Sequence, residues 1–195
     1  MIAARTPGQP GAPLILTFHG TGGKEQQFHR LAHDLLPTAH VTSPRGEVSE
    51  GGALRYFRRT GEGRYDMADL AARTTQIAGF IAAEQAATGA TRRIGLGYSN
   101  GANILASVSF QRPDLLTDLI LLHPLIPFTA APQPELAGTR ILITAGQRDP
   151  ICPAALTQKL ADFYTGQGAT VTLQWHQGGH EIAQSEIDAI RIFLR

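Results

Sequence analysis

The sequence has 195 residues, of which 43% are hydrophobic and 17% charged, and its formal net charge at pH 7 is +1. This composition is typical of one globular domain over residues 1–195 and gives little support for nucleic-acid binding. The single cysteine excludes an intramolecular disulfide, and with no signal peptide or membrane-span pattern in the sequence we expect a cytoplasmic protein.

The N-terminal third contains two predicted strands and one predicted helix. Residues 1–12 are rich in proline and glycine, so we expect a surface segment there. The run PLILTFHG (13–20) is short, apolar and closed by glycine, which predicts a buried parallel strand. KEQQFHRLAHDLLP (24–37) has apolar residues at helical spacing and ends in proline, so it predicts a helix. A second short strand is predicted at AHVTSP (39–44).

A long polar, glycine-rich loop is predicted over residues 45–65, before the most regular part of the chain. Residues 66–87 then predict a long amphipathic helix that Gly89 ends. From there strands and helices alternate, except that a proline-rich stretch replaces one helix. In order we expect strand 92–97, helix 100–111, strand 116–124, proline-rich stretch 125–138, strand 139–146, helix 153–168, strand 169–179 and helix 181–195.

Six strands separated mostly by helices predict an α/β fold, a doubly wound and mostly parallel sheet of six to seven strands flanked by helices. In such a sheet, functional groups collect at the carboxyl ends of the strands. Ser99 follows the third predicted strand, Asp149 follows the fifth and His180 follows the sixth. The sequence therefore places a serine, an aspartate and a histidine at one edge of the sheet.

Ser99 lies in the pentapeptide Gly97-Tyr98-Ser99-Asn100-Gly101, which fits the G-x-S-x-G nucleophile elbow. A nucleophile on this elbow takes a strained turn, and small neighbours allow the strand and the helix to approach. The helix that follows directs its N-terminal amides toward developing negative charge. A strand before the motif, a helix after it, and Asp149 and His180 in later loops favour a catalytic interpretation.

These features resemble the α/β-hydrolase superfamily, and more closely its small carboxylesterase, phospholipase and acyl-thioesterase branch, which includes dienelactone-hydrolase-like members. The matching segments are FHGTGGKEQQF, SPRGEVSEGGALRYFRR, GLGYSNGANI, AGQRDPICP and GGHEI, in family order over residues 18–182. The segments GYSNGAN and SPRG…RYFRR are similar to a bacterial subgroup of esterases and hydrolases, some linked to quinone or aromatic-compound metabolism. With few residues before the first predicted strand, we expect a minimal sheet without a lid.

The resemblance implies a role for each site residue. Ser99 would be the nucleophile, His180 the base and Asp149 the acid that orients it. The oxyanion hole would consist of the backbone amides of Thr21 and Asn100. No metal or organic cofactor is required for this chemistry, and no histidine cluster in the sequence has convincing metal-ligand spacing.

Several residues near this edge have alternative interpretations. His176 is the second candidate for the base, whereas His123 ends a strand near the site but lacks the glycine turn. His19 precedes the oxyanion turn, and we expect its ring to brace that loop. Asp149 could instead cap the helix that follows it. Cys152 lacks an elbow and an activating base, so we expect a structural thiol.

The loop over residues 45–65 contains adjacent aromatic and arginine residues. Tyr56, Phe57 and Arg58 could form a packed loop, or they could form a pocket wall together with Gly20. In the second case one arginine of the loop would bind an anionic group of the substrate, in a fork geometry that lysine cannot reproduce. Of Arg55, Arg58 and Arg59, we expect Arg58 to have this role.

The sequence thus predicts a serine carboxylesterase that cleaves carboxylic esters or thioesters of small to medium substrates through a Ser-His-Asp triad. The alternative is a non-catalytic protein that binds small molecules on the same fold. The expected partner is a small-molecule ester, and a homodimer is left open.

Overall fold

The computed structural model describes residues 1–195, and its centre is a seven-stranded sheet. The strands are, in chain order, β1 (Ala3–Thr6), β2 (Leu14–Phe18), β3 (His40–Pro44), β4 (Val48–Glu50), β5 (Ala53–Arg55), β6 (Arg59–Gly61), β7 (Arg64–Tyr65), β8 (Arg93–Tyr98), β9 (Asp118–Leu122), β10 (Arg140–Gly146) and β11 (Thr170–His176). The central sheet has the order β1-β3-β2-β8-β9-β10-β11, and every pair in it is parallel except β1 with β3. This confirms the predicted doubly wound α/β sheet.

Helices cover both faces of the sheet. They are α1 (His29–Leu35), α2 (Met67–Thr88), α3 (Asn100–Gln111), α4 (Ala154–Gly166) and α5 (Gln184–Leu194). The larger core lies between the sheet and α2, α3 and α4, whereas the smaller core lies under α1 and α5. Side chains of β2 alternate between the two cores, as strand geometry requires: Leu14 and Leu16 enter the larger core and Ile15 enters the smaller one. None of the helices combines the length and hydrophobicity needed to span a lipid bilayer.

The N-terminal segment differs from the prediction. Residues 1–12 were expected to form only a surface segment, but Ala3–Thr6 forms an antiparallel edge strand that pairs with β3. This segment has only four residues, Ala-Ala-Arg-Thr, and lacks the alternation of apolar and polar residues that predicts a strand. Pairing with β3 supplies the missing hydrogen bonds, and Arg5 forms an ion pair with Glu84 of α2 at 2.7 Å. A charged residue on an edge strand also disfavours further strand pairing.

Residues 45–65 do not form a loop throughout, because they fold into two small hairpins, β4–β5 and β6–β7. The first hairpin turns at Gly51 and Gly52, whose φ angles are 57° and 90°. A two-residue hairpin turn with positive φ at both positions is the arrangement that a Gly-Gly pair favours. The hairpins begin after β3, at the carboxyl edge of the sheet.

Candidate active site

The turn between β8 and α3 holds Ser99 in a strained conformation. Its φ angle is 52° and its ψ angle −115°, and only Ser99 and His123 have positive φ among the non-glycine residues. Such backbone costs about 1–3 kcal/mol and persists only where its surroundings enforce it. Here the Ser99 N–H donates to the Leu122 carbonyl at 2.8 Å, and the Ser99 carbonyl accepts from the Asn103 N–H at 2.9 Å.

The two glycines of the motif are sterically required. A Cβ atom on Gly97 would lie 2.5 Å from the carbonyl carbon of Gly101. A Cβ atom on Gly101 would overlap with the Phe18 carbonyl oxygen of β2. Because both clashes are with backbone, no side-chain movement relieves them. The close approach of β2, β8 and α3 therefore depends on glycine on both sides of Ser99.

Ser99, His180 and Asp149 form a hydrogen-bonded chain. His180 Nε2 lies 3.0 Å from Ser99 Oγ, and His180 Nδ1 lies 2.7 Å from Asp149 Oδ2. His180 follows β11 and Asp149 follows β10, so adjacent parallel strands deliver them to one edge. The Tyr98 hydroxyl donates to the His180 carbonyl at 2.7 Å and fixes the histidine backbone beside the elbow. The structure thus brings together the three residues that the sequence singles out.

Asp149 accepts four hydrogen bonds. The N–H groups of Ile151 and Cys152 donate to its Oδ1 at 2.8 and 2.9 Å. Its Oδ2 is shared by the rings of His180 and His123. Burial by itself raises the pKa of Asp149, but these donors outweigh burial and lower the pKa below its usual range. Asp149 is not the N-cap of α4, which is Pro153, so the helix-cap alternative does not describe its position.

The residues expected to form the oxyanion hole border the same cavity as Ser99. Thr21 lies in the turn after β2, and Asn100 is the first residue of α3. An amide in the first turn of a helix has no intrahelical acceptor. The Asn100 side chain is buried, and its Oδ1 accepts from the Tyr56 N–H at 2.7 Å. Only the backbone amide of Asn100 is therefore a candidate for the oxyanion hole.

The ring of His19 braces the turn that carries Thr21, in agreement with the expectation from the sequence. His19 Nδ1 lies 2.7 Å from the Gly20 carbonyl, and the Gly46 N–H donates to His19 Nε2 at 2.9 Å. Burial lowers the pKa of His19. A neutral ring that donates from Nδ1 and accepts at Nε2 satisfies both contacts.

A cavity of about 370 Å³ opens at Ser99 and His180. Its wall includes both hairpins, the proline-rich stretch and the start of α3. The charged and polar lining residues that matter below are Arg55, Arg59, Glu62, Tyr65 and Asn103. Asn103 Oδ1 accepts from the Leu125 N–H at 2.7 Å, so the proline-rich stretch is fastened to α3 beside the cavity.

The residues that the sequence analysis considered for substrate binding do not line this cavity: Gly20, Tyr56, Phe57 and Arg58. Tyr56 and Phe57 are 2% and 0% exposed and belong to the larger core. Gly20 packs against the Tyr98 ring. Arg58 forms ion pairs with Asp66 and Asp69 at 3.5 and 3.4 Å. The segment 45–65 does border the cavity, but through other residues: Arg55, Arg59, Glu62, Gly63 and Tyr65.

Two other arginines of the loop, Arg55 and Arg59, line the cavity instead of Arg58. Arg55 is buried, and its guanidinium donates to Thr21 Oγ1 at 3.1 Å and to the Phe57 carbonyl at 3.3 Å. Arg59 is more exposed, and Glu50 pairs with both arginines, at 3.3 Å from Arg55 and 2.9 Å from Arg59. Burial is the main factor that lowers the pKa of Arg55, and the charge of Arg59 adds to it.

Cys152 and His176, the other candidates for nucleophile and base, contact groups other than Ser99. The Cys152 thiol is buried and lies 3.3 Å from the His123 carbonyl, and burial raises its pKa. His176 faces Glu186, with 3.4 Å between His176 Nε2 and Glu186 Oε2. A thiol with a raised pKa is a poor nucleophile, and His176 has no hydrogen bond with Ser99.

Two overlapping groups have ligand-type atoms within 4.8 Å of one another: His123, Asp149 and His180, and His123, His176 and Glu186. In the first group both histidines contact one carboxylate oxygen through Nδ1. In the second, His176 Nδ1 accepts from the Gly178 N–H, so the neutral ring carries its proton on Nε2, toward Glu186. Hydrogen bonds and ion pairs account for this spacing better than a metal ion does.

Comparison with known proteins agrees with the fold. No family model matches the chain. The Bacillus subtilis (strain 168) protein described as "Putative hydrolase MhqD" is 39% identical over 180 residues, which cover 91% of this chain and 90% of that protein.

Among solved structures, the Agrobacterium tumefaciens protein Atu2452, of unknown function, is 52% identical with a TM-score of 0.93, covering 98% of this chain and 94% of that chain. The Bacillus cereus carboxylesterase is 34% identical with a TM-score of 0.90, covering 98% and 92%. The Mesorhizobium loti carboxylesterase is 28% identical with a TM-score of 0.85, covering 96% and 90%. The chain belongs to the α/β-hydrolase superfamily, in the branch of the carboxylesterases.

Proposed function

We propose that this protein is a serine carboxylesterase that hydrolyses small to medium carboxylic esters or thioesters through an acyl-enzyme intermediate. The observation that carries the proposal is the continuous hydrogen-bonded chain from Ser99 through His180 to Asp149 at the mouth of a cavity. A volume of about 370 Å³ lies near the lower end of the range for small-molecule sites, which favours small substrates.

In the proposed reaction, Ser99 Oγ attacks the acyl carbonyl carbon while His180 Nε2 accepts the hydroxyl proton. The amides of Thr21 and Asn100 donate to the oxyanion of the tetrahedral intermediate. Collapse of the intermediate breaks the bond to the alcohol or thiol, which takes the proton from His180. Water then attacks the acyl-enzyme by the same route, and the carboxylic acid leaves.

The cavity wall favours a substrate with an anionic or strongly polar group. Arg55 and Arg59 bring two guanidinium groups to the lining, whereas Glu62 brings one carboxylate. Glu50 compensates part of this charge by pairing with both arginines. We therefore propose that Arg59, the more exposed of the two, contacts the polar group, while Arg55 holds the Thr21 turn.

A fluorophosphonate probe tests the enzymatic proposal directly. We expect one covalent adduct on Ser99, located by peptide mass spectrometry, and none in Ser99→Ala. Ser109, a buried serine later in α3, provides the matched control, because Ser109→Ala should label normally. Absence of labelling in the folded wild-type protein would instead favour the alternative, a non-catalytic small-molecule-binding protein.

A further inference from the structure

The Asp149 carboxylate has a second imidazole partner beyond the triad. His123 Nδ1 lies 2.9 Å from Asp149 Oδ2, the same oxygen that contacts His180. The His123 side chain is completely buried, and its φ angle of 50° turns it inward at the end of β9. On the other side of the ring, Nε2 lies 3.1 Å from Oε1 of Glu186, which is also completely buried. His123 therefore lies between two buried carboxylates.

The hydrogen bonds of the two carboxylates determine which protonation state of His123 fits. Glu186 accepts at both oxygens, from the Thr144 hydroxyl at 2.5 Å and from the Ala183 N–H at 2.6 Å. His123 Nε2 and Glu186 Oε1 are 3.1 Å apart but do not have hydrogen-bond geometry. A neutral ring that donates to Asp149 would place the Nε2 lone pair against Glu186 Oε1. A doubly protonated ring avoids this repulsion.

The remaining groups around His123 do not supply an alternative positive charge. His176 accepts a backbone N–H at Nδ1, which is compatible with a neutral ring. The Cys152 thiol contacts the His123 carbonyl rather than its ring. The side chains that complete the titratable and charged surroundings of the ring are Tyr98, His176, His180 and, farther away, Glu181. His123 is thus the one histidine that contacts both buried carboxylates.

Electrostatic effects agree with this geometry. Burial opposes protonation of His123, but Glu186 and Asp149 outweigh burial and raise the His123 pKa above the usual histidine range. Burial likewise opposes ionisation of Glu186, but His123, Thr144 and Ala183 outweigh it and lower the Glu186 pKa.

We propose that His123 is an imidazolium at neutral pH, held between Asp149 and Glu186, and that it positions the triad carboxylate for its contact with His180. The ring centroids of His123 and His180 are 5.1 Å apart. Because the His123 and His180 rings contact the same oxygen, Asp149 Oδ2, the position of His123 helps to determine where that oxygen meets His180.

His123 is a positioning residue, because it acts through Asp149 and does not contact the cavity. Its catalytic consequence rests on the proposed esterase function, whereas its charge state does not. The charge state can therefore be measured without any assay of activity.

Nuclear magnetic resonance of the 15N-labelled wild-type protein at pH 8 measures the charge state. An unperturbed histidine is almost entirely neutral at this pH. We expect the histidine side-chain spectrum to show one ring with both nitrogens protonated, assigned to His123 by its loss in His123→Asn. A single protonated nitrogen on His123 at pH 8 would overturn the proposal.

The double variant His123→Asn with Glu186→Gln measures the effect on the triad. It replaces the buried charge pair by two neutral amides, and the Asn side chain can still donate to Asp149. We expect kcat to fall by about tenfold with KM little changed, because a neutral amide holds the Asp149 carboxylate less firmly than a charged ring does, whereas the cavity lining is not altered. In the control variant His176→Gln, which changes another Glu186 contact, kcat should stay close to that of the wild type.

Each result has a separate meaning. If the double variant is folded and its kcat is unchanged, His123 does not position the triad carboxylate. If wild-type His123 is doubly protonated but the protein neither hydrolyses esters nor labels with the fluorophosphonate, the proposed function fails while the charge assignment stands. If the double variant does not fold, the nuclear magnetic resonance measurement on the wild type still decides the charge.

Discussion

His180 Nε2 lies 3.0 Å from Ser99 Oγ, whereas His176 Nε2 lies 3.4 Å from a carboxylate oxygen of Glu186. The two histidines are close in sequence but face opposite partners, so they should respond differently to mutation. This contrast allows a direct test of which histidine is the base.

We expect Ser99→Ala and His180→Ala each to lower kcat/KM for p-nitrophenyl acetate by several orders of magnitude, as loss of a triad member does in serine hydrolases. His176→Ala should keep most of the activity. Circular dichroism should show that all three variants are folded. Full activity in His180→Ala together with an inactive His176→Ala would assign the base to the other histidine.

The glycines beside Ser99 give a prediction about stability. Gly101→Ala should lower the free energy of unfolding by more than about 2 kcal/mol, because its Cβ would overlap with the Phe18 carbonyl oxygen. The matched control is Gly79→Ala in the middle of α2, where a Cβ meets nothing within 4 Å. Helix propensity predicts that this control gains about 0.5–1 kcal/mol. Urea unfolding of both variants measures the difference, and equal stabilities would contradict the close-approach explanation.

The elbow and the proximity of Ser99, His180 and Asp149 could be predicted because they follow from one short motif and from strand order. A G-x-S-x-G motif between a strand and a helix, followed by Asp149 and His180 after later strands, requires only the rule that parallel strands end at one edge. Both motif glycines prove necessary for backbone packing. The sheet followed from strand-helix alternation, and only the short edge strand β1 was missed.

The charged surroundings of the triad could not be predicted in the same way. Glu186 lies on the amphipathic helix α5, where a glutamate normally faces solvent, and its partner His123 comes from a distant strand. The choice among Arg55, Arg58 and Arg59 depends on which way each side chain points in two short hairpins. A shift of one residue in a hairpin reverses that direction. The Gly51-Gly52 pair marks the turn of the first hairpin, but the second hairpin, which carries Arg59, has an irregular register.

The buried charges also predict how stability depends on pH. Asp149 and Glu186 have lowered pKa values in the folded protein. The stability they contribute is therefore present above the ordinary carboxyl range and is lost as pH falls through their folded pKa values. His123 has a raised pKa, so its contribution is present below about pH 6.5 and is lost as pH rises through its folded pKa.

We therefore expect the contribution of these three groups to be greatest near pH 6, with losses toward both pH 3 and pH 9. The double variant of His123→Asn and Glu186→Gln should have a flatter profile, because it keeps only the Asp149 contribution. Urea unfolding at pH 3, 6 and 9 provides the comparison. Parallel profiles for the two proteins would show that the His123–Glu186 pair does not titrate with folding.

The last prediction concerns substrate charge and the arginines of residues 45–65. Arg59 lines the cavity, whereas Arg58 pairs with Asp66 and Asp69 outside the lining. Arg59→Ala should lower kcat/KM for an anionic ester such as 4-acetoxybenzoate by about tenfold, the value of one charge-assisted hydrogen bond. It should change kcat/KM for the neutral 4-acetoxybenzamide by much less. The two esters have the same size and the same acyl group, so their ratio isolates the effect of charge.

Arg58→Ala is the matched control, since it removes the same side chain one residue earlier. We expect it to leave the ratio of the two ester activities unchanged. Glu62→Gln should shift the ratio in the opposite direction to Arg59→Ala, because it removes the negative charge from the same lining. High salt should weaken both shifts, since exposed charges are screened. If Arg58→Ala changes the ratio and Arg59→Ala does not, the anionic group binds outside this cavity.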